Sequence, residues 1–182
     1  MAWGDIKPDR LVKVPQVGWI GEYLLKNHGY NVPGKREGTL QSVYITALSP
    51  VYPYKKEEAA DFGQSMPHIK KILACEGVIP HYVIAGDSWW QLLDAADCWQ
   101  RADGKIDEKT IGIAITMSDQ FPLPYVENLA PMRAGARLTG RLLKENGLSE
   151  KCITVDRNCP EFFHSRWKEW KQIVREQMKK TK

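Results

Sequence analysis

No stretch of the chain approaches the roughly 20 apolar residues that a membrane-crossing helix needs, so no membrane partner is expected. The N-terminus, Met1-Ala2-Trp3-Gly4-Asp5, lacks the charged start and following apolar run of a signal peptide. Cysteine is sparse. Cys75, Cys98, Cys152 and Cys159 form no CxxC pair and show none of the dense spacing of a disulfide scaffold. They read as reduced thiols, which places the protein in the cytoplasm of the cell that makes it. Charge of one sign is lacking too: 26 Lys and Arg against 22 Asp and Glu leave only +4. Three positive charges sit in the tail Lys179-Lys180-Thr181-Lys182, which reads as a solvated end. Such a balance suits an anionic partner without choosing one, and it gives no strong nucleic-acid signal.

What is present is an ordinary globular composition, 43% hydrophobic and 26% charged over 182 residues. A chain of that length favours one domain that buries roughly 70% of its unfolded surface. Seven Trp and seven Tyr stand out. They suggest a thick core together with a surface on which a sugar or base can stack.

Residues 1–16, with two prolines and mixed charge, read as an extended arm. Val17, Ile20, Leu24 and Leu25 recur at helical spacing and predict a helix to His28, stopped by Gly29. Residues 1–30 thus form an arm and helix ahead of one globular unit over 31–182. Asn31 to Lys35 is a loop, and Val43 to Leu48 is a buried strand closed by Ser49-Pro50. Ala59, Phe62, Met66, Ile69 and Leu73 predict an amphipathic helix that Pro67 kinks or splits. Pro80 to Ala85 and Trp89 to Leu93 form a hairpin about Gly86-Asp87. Thr110 to Met117 is the clearest central strand. A helix from Tyr125 to Asn146 follows, stopped by Gly147, then a short strand at Cys152 to Val155. Phe163, Trp167, Trp170 and Val174 give the inner face of a closing helix. Alternating strands and helices make a single α/β domain, a mixed central sheet flanked by helices.

Four phrases in this order resemble the type 2 N-acetylmuramoyl-L-alanine amidases, the fold of phage endolysins and peptidoglycan recognition proteins. They are His81-Tyr82-Val83-Ile84 with Gln91-Leu92-Leu93, Asp97 to Gly104 (DCWQRADG), Thr110 to Ile115 (TIGIAI), and Asn158-Cys159-Pro160-Glu161 followed by Trp167. The resemblance covers roughly residues 30–175. It implies a zinc ion held by two His and a third ligand, often Cys, with an open position for water.

This chain departs from that pattern. The position of the first zinc ligand falls on Thr46, whose hydroxyl stays protonated near neutral pH. The second His has no counterpart in the shortened loop Val155-Asp156-Arg157-Asn158-Cys159-Pro160. Cys159 remains as a third ligand and Arg157 keeps a positive charge before it. The family's glutamate is replaced by Ala114, and a His by Gln100. The resemblance therefore implies a degenerate member that lacks catalytic residues and a metal. Of the four His, His81 reads as structural, His28 and His164 as surface or cap residues, and His68 has no clear place.

The cleft is expected to persist, with Thr46, Trp99, Gln100, Ala114, Arg157 and Cys159 near its floor. Arg101 and Arg157 make it favourable to an anion, and of Trp89 and Trp90 one, taken as Trp90, is available to stack. Three readings stay open. One is a non-catalytic binder of a small anionic or glycan ligand, of phage or mobile-element origin. The ligand would be a peptidoglycan fragment or a nucleotide immune signal, sequestered as an anti-defence device. Another is a structural or interaction protein such as a virion component, with a homo-oligomer compatible. The third is an active amidase with a rearranged zinc site.

Overall fold

Two runs rich in β-branched residues, SVYITAL and TIGIAIT, build the centre of the molecule. The computed structural model describes residues 7–14, 18–48, 78–85, 88–117 and 125–180. In chain order the strands are β1 (Arg10–Val14), β2 (Gly18–Glu22), β3 (Ser42–Leu48), β4 (Tyr82–Ala85), β5 (Ser88–Gln91), β6 (Trp99–Gln100), β7 (Ile106–Asp107), β8 (Thr110–Thr116) and β9 (Ile153–Val155). The helices are α1 (Tyr125–Glu145), α2 (Glu161–Ser165) and α3 (Trp167–Lys180).

Seven strands form one mixed sheet in the order β1-β2-β5-β4-β8-β3-β9, and β6 and β7 form a separate two-stranded ribbon. β8 pairs in parallel with β3, from Ser42 opposite Thr110 to Leu48 opposite Thr116. Every residue of β8 is buried, as expected of a central strand covered on both faces. The expected hairpin is present as antiparallel β4 and β5, with Val83 opposite Trp90. The helix expected over Lys55 to Leu73 lies outside the described residues.

Side-chain alternation divides the core in two. Val43, Ile45, Ile84, Ile111, Ile113 and Ile115 face the helices, meeting Met132, Leu138, Trp170 and Val174. Tyr44, Val83, Trp90, Trp99 and Ala114 belong to the opposite face. The helix layer packs tightly. A Cβ at Gly140 of α1 would stand 2.7 Å from the Val174 carbonyl oxygen of α3. The Trp170 indole also donates to the Met132 carbonyl at 2.9 Å. α1 ends as expected, with Gly147 at φ 65 and the Leu148 N–H bonded back to Leu143 at 2.8 Å.

The helix expected over 17–28 is corrected. The structure has strand β2 there, followed by a 3-10 turn at Leu25–His28 that Gly29 closes. Part of the expected arm is strand as well, since β1 pairs with β2 from Arg10–Glu22 to Val14–Gly18. Two glycines tip the balance, because each costs a helix interior about 1 kcal/mol. Gly18 adopts φ 136, outside the helical region, and Gly21 lies opposite Trp90 where β2 adds in parallel to β5. The helical spacing of Ile20, Leu24 and Leu25 is met by other means, since all three are buried by the strand and the turn.

Candidate functional site

The cleft begins with the alternation of β3. Ser42, Tyr44 and Thr46 share the face turned away from the helices. β9 lies beside β3 in parallel with Tyr44 opposite Thr154, so Thr154 joins that face. The Ser42 and Thr154 hydroxyls are 3.2 Å apart. One wall comes from the β6–β7 ribbon and the other from the loop after β9. A cavity of about 310 Å³ lies between Arg101, Ala102 and Asp103 on one side and Asp156, Arg157 and Asn158 on the other, over Tyr44. A second, of about 620 Å³, adjoins it across Tyr44 and Arg101 and runs past Ser42, Lys105, Lys109 and Thr154.

One carboxylate ties the floor together. Asp156 accepts from the Thr46 hydroxyl at 3.4 Å and from the Asn158 backbone N–H at 2.8 Å. Its negative charge also acts on the Tyr44 hydroxyl. Arg101 donates to that hydroxyl at 3.1 Å, and its guanidinium carbon lies 4.7 Å from the Tyr44 ring centroid. Burial, reinforced by the negative charge of Asp156, raises the pKa of Tyr44 above its ordinary value, against the opposing effect of Arg101. The hydroxyl therefore stays protonated and accepts from Arg101 under the influence of both charged groups. Arg157 is exposed and lacks a hydrogen-bond or ion-pair partner among the described residues.

Zinc asks for a thiolate, a neutral imidazole or a carboxylate. Thr46 offers a hydroxyl already committed to Asp156. Cys159 is buried at 5% exposure and lies behind the strand, with its Sγ 3.8 Å from the Ile45 carbonyl. Burial first, and the charge of Asp156 second, push its thiol up to about 12, so it is a protonated thiol at neutral pH. Among the described residues no three His, Cys, Asp or Glu side chains converge as metal ligands. Among the described residues the donor set does not fit zinc. His68 lies outside the described residues.

Of the sequence-predicted residues, the structure brings Arg101 and Arg157 to the cavity wall and Thr46 to the network beneath it. Gln100 is spent on the ribbon, its backbone bonded to Ile79, and it does not line either cavity. Ala114 is fully buried between Thr46 and Val83. Trp99 is fully buried as well, its ring over Gly112 and its indole donating to the Thr110 hydroxyl at 2.9 Å.

Trp90 is corrected outright. It has no exposed surface and meets Tyr23 edge-on at 6.5 Å. The unanticipated β2 and the turn after it cover it, and Trp89, 6% exposed, packs on the other face. Neither indole is available to stack on a ligand. Sequence reasoning missed Tyr44, Asp156, Asp103 and Asn158. Tyr44 was within reach, being two residues from Thr46 on the same strand face.

The sheet, the helix layer and this cleft define an amidase-like α/β domain. No family model matches the chain, and no curated protein matches it at a significant level. Solved structures do match. The Staphylococcus aureus hydrolase AmiA in complex with its ligand has a TM-score of 0.61 at 12% identity, covering 91% of this chain and 84% of that one. The catalytic domain of XlyA has 0.55 at 13%, covering 85% and 98%. The PlyG catalytic domain in solution has 0.54 at 14%, covering 86% and 93%. At such identities the likeness is one of fold.

Proposed function

We propose that the chain is a non-hydrolytic amidase-fold protein whose cleft holds a small ligand carrying an anionic group. The observation that carries this reading is the Thr46–Asp156–Tyr44–Arg101 network. It uses up the polar groups where the resemblance places a metal and leaves Arg101 and Arg157 on the wall of a 310 Å³ cavity. Two arginines favour a carboxylate or phosphate, which guanidinium groups bind with paired hydrogen bonds. Asp103 and Asp156 in the same lining oppose a polyanion, so a single anionic group fits better than several. Peptidoglycan fragments and nucleotide signals both carry such a group. Tight holding without turnover suits sequestration in a phage-derived protein, for which the endolysin neighbour from Bacillus subtilis is a fitting relative in fold.

The test is calorimetric titration with a muropeptide and with mono- and cyclic dinucleotides, followed by mass spectrometry of each mixture after prolonged incubation. The expected outcome is saturable binding of one ligand class with no product. Arg157→Ala and Arg101→Ala should each weaken binding roughly tenfold or more, as loss of a charged hydrogen bond implies. Muropeptide cleavage at one zinc per chain would instead establish a working amidase. No binding of any ligand would transfer the function to the surface.

A further inference from the structure

We infer that the flank of α3 turned toward the loop after α1 is a docking face for a nucleic-acid backbone, on the opposite side of the sheet from the cleft. Lys168, Lys171, Arg175 and Lys179 follow one another at spacings of three and four residues, which places them in one row. The row is about 16 Å long at a rise of 1.5 Å per residue. The acidic residues of α3 lie elsewhere. Glu169 faces α1, where Arg133 approaches it at 3.5 Å, and Arg166 holds it at 2.8 Å. Glu176, one heptad on, accepts from Gln172 at 3.0 Å.

Lys151 extends the row from the neighbouring loop. The one carboxylate in it, Glu150, is gripped by Arg175 through two hydrogen bonds, one of 3.1 Å. The Arg175 hydrogen bonds, aided by the charges of Arg175, Lys171 and Lys151, lower the pKa of Glu150. Lys168 and Lys179 are exposed and have no carboxylate partner among the described residues, and Lys151 is exposed beside Glu150. Five cations against Glu150 leave an excess of four, equal to the +4 of the entire chain. Along this row one sign prevails, whereas an ordinary solvated surface intersperses the two signs.

The partner is a phosphodiester polymer rather than a lipid surface, for a reason of packing. A helix that lies in a membrane interface needs an exposed apolar face. That of α3, Trp170 and Val174, is buried against α1. A half-buried ring, Trp167, borders the row under Lys171, whose ammonium is 5.4 Å from its centroid. Cations beside an aromatic edge are the elements with which proteins hold a nucleic-acid strand without reading its sequence.

The experiment is fluorescence anisotropy of the full chain with labelled 20-nucleotide single-stranded and duplex DNA between 50 and 200 mM salt. With about four phosphates engaged, log K should fall with log salt at a slope of about −3 to −4, for duplex or single strand. The triple variant Lys168→Gln/Lys171→Gln/Lys179→Gln should bind at least roughly tenfold more weakly with a slope shallower by about two to three. Lys7→Gln/Lys13→Gln/Lys35→Gln, with the same change in net charge, should bind like the parent. Equal losses in both triples would show a general charge effect and overturn the assignment. So would salt-insensitive binding, or binding confined to vesicles of anionic lipid.

Discussion

His81 shows what a buried titratable side chain does for this fold. Its Nε2 donates to the Asp97 carbonyl at 2.8 Å and its Nδ1 accepts the Gly112 N–H at 3.0 Å, so the neutral ring joins β8 to the segment before β6. Burial lowers its pKa from 6.5 to about 4, with the bond to Asp97 pulling weakly the other way. The unfolded chain then binds a proton below pH 6.5 that the folded chain refuses until about pH 4. Stability conferred by the neutral ring is present above pH 6.5 and lost as the pH falls through that window, by about 3 kcal/mol in all. Urea denaturation at pH 7, 5.5 and 4.5 should show this decline, and His81→Gln should flatten it. The structural role of His81 was legible in the sequence from its place at the head of a strand and its match to a structural His of the resembled family, and the same resemblance put Arg101 near Arg157. The fate of Trp90 was not, because alternation says which face a side chain takes but not what covers that face.

Among the elements, the strands were read more securely than the N-terminal segment. β3 and β8 announce themselves through runs rich in β-branched residues, and α1 through its apolar spacing and Gly147. Residues 18–28 carry a helical spacing that a strand and a tight turn also satisfy, and only the edge offered by β5, some 70 residues away, decides between them. The β6–β7 ribbon was invisible for a related reason, being two residues a side and held by Gln100–Ile106 and Trp99–Asp107 pairs. Its position depends on a missing side chain. A Cβ at Gly112 would stand 2.5 Å from the Trp99 ring. Gly112→Ala should therefore cost about 1–3 kcal/mol through overpacking. Because Arg101 follows directly on β6, the same substitution should also weaken ligand binding in the cleft. A thermal melt and a calorimetric titration on the one variant test both effects.

Over the whole molecule, the described part of the cleft is held in shape by hydrogen bonds among β3, Arg101 and the loop after β9. The melting temperature should shift by less than about 1 °C on dialysis against a chelator, where a structural zinc would contribute many kcal/mol. A large chelator-dependent drop in a melt followed by circular dichroism would mean that residues such as His68 complete a ligand set. The position of β3 has a kinetic consequence as well. That strand lies between β8 and β9, so residues 43–45 find one neighbour at 111–113 and the other at 153–155. Loop closure over such distances must be achieved before either contact rewards it, and topologies of this kind fold slowly. On the ribosome the nascent chain carries β3 with one side unsatisfied until residue 155 has emerged. The floor of the cleft, which needs Asp156, is thus among the last parts of the protein to exist.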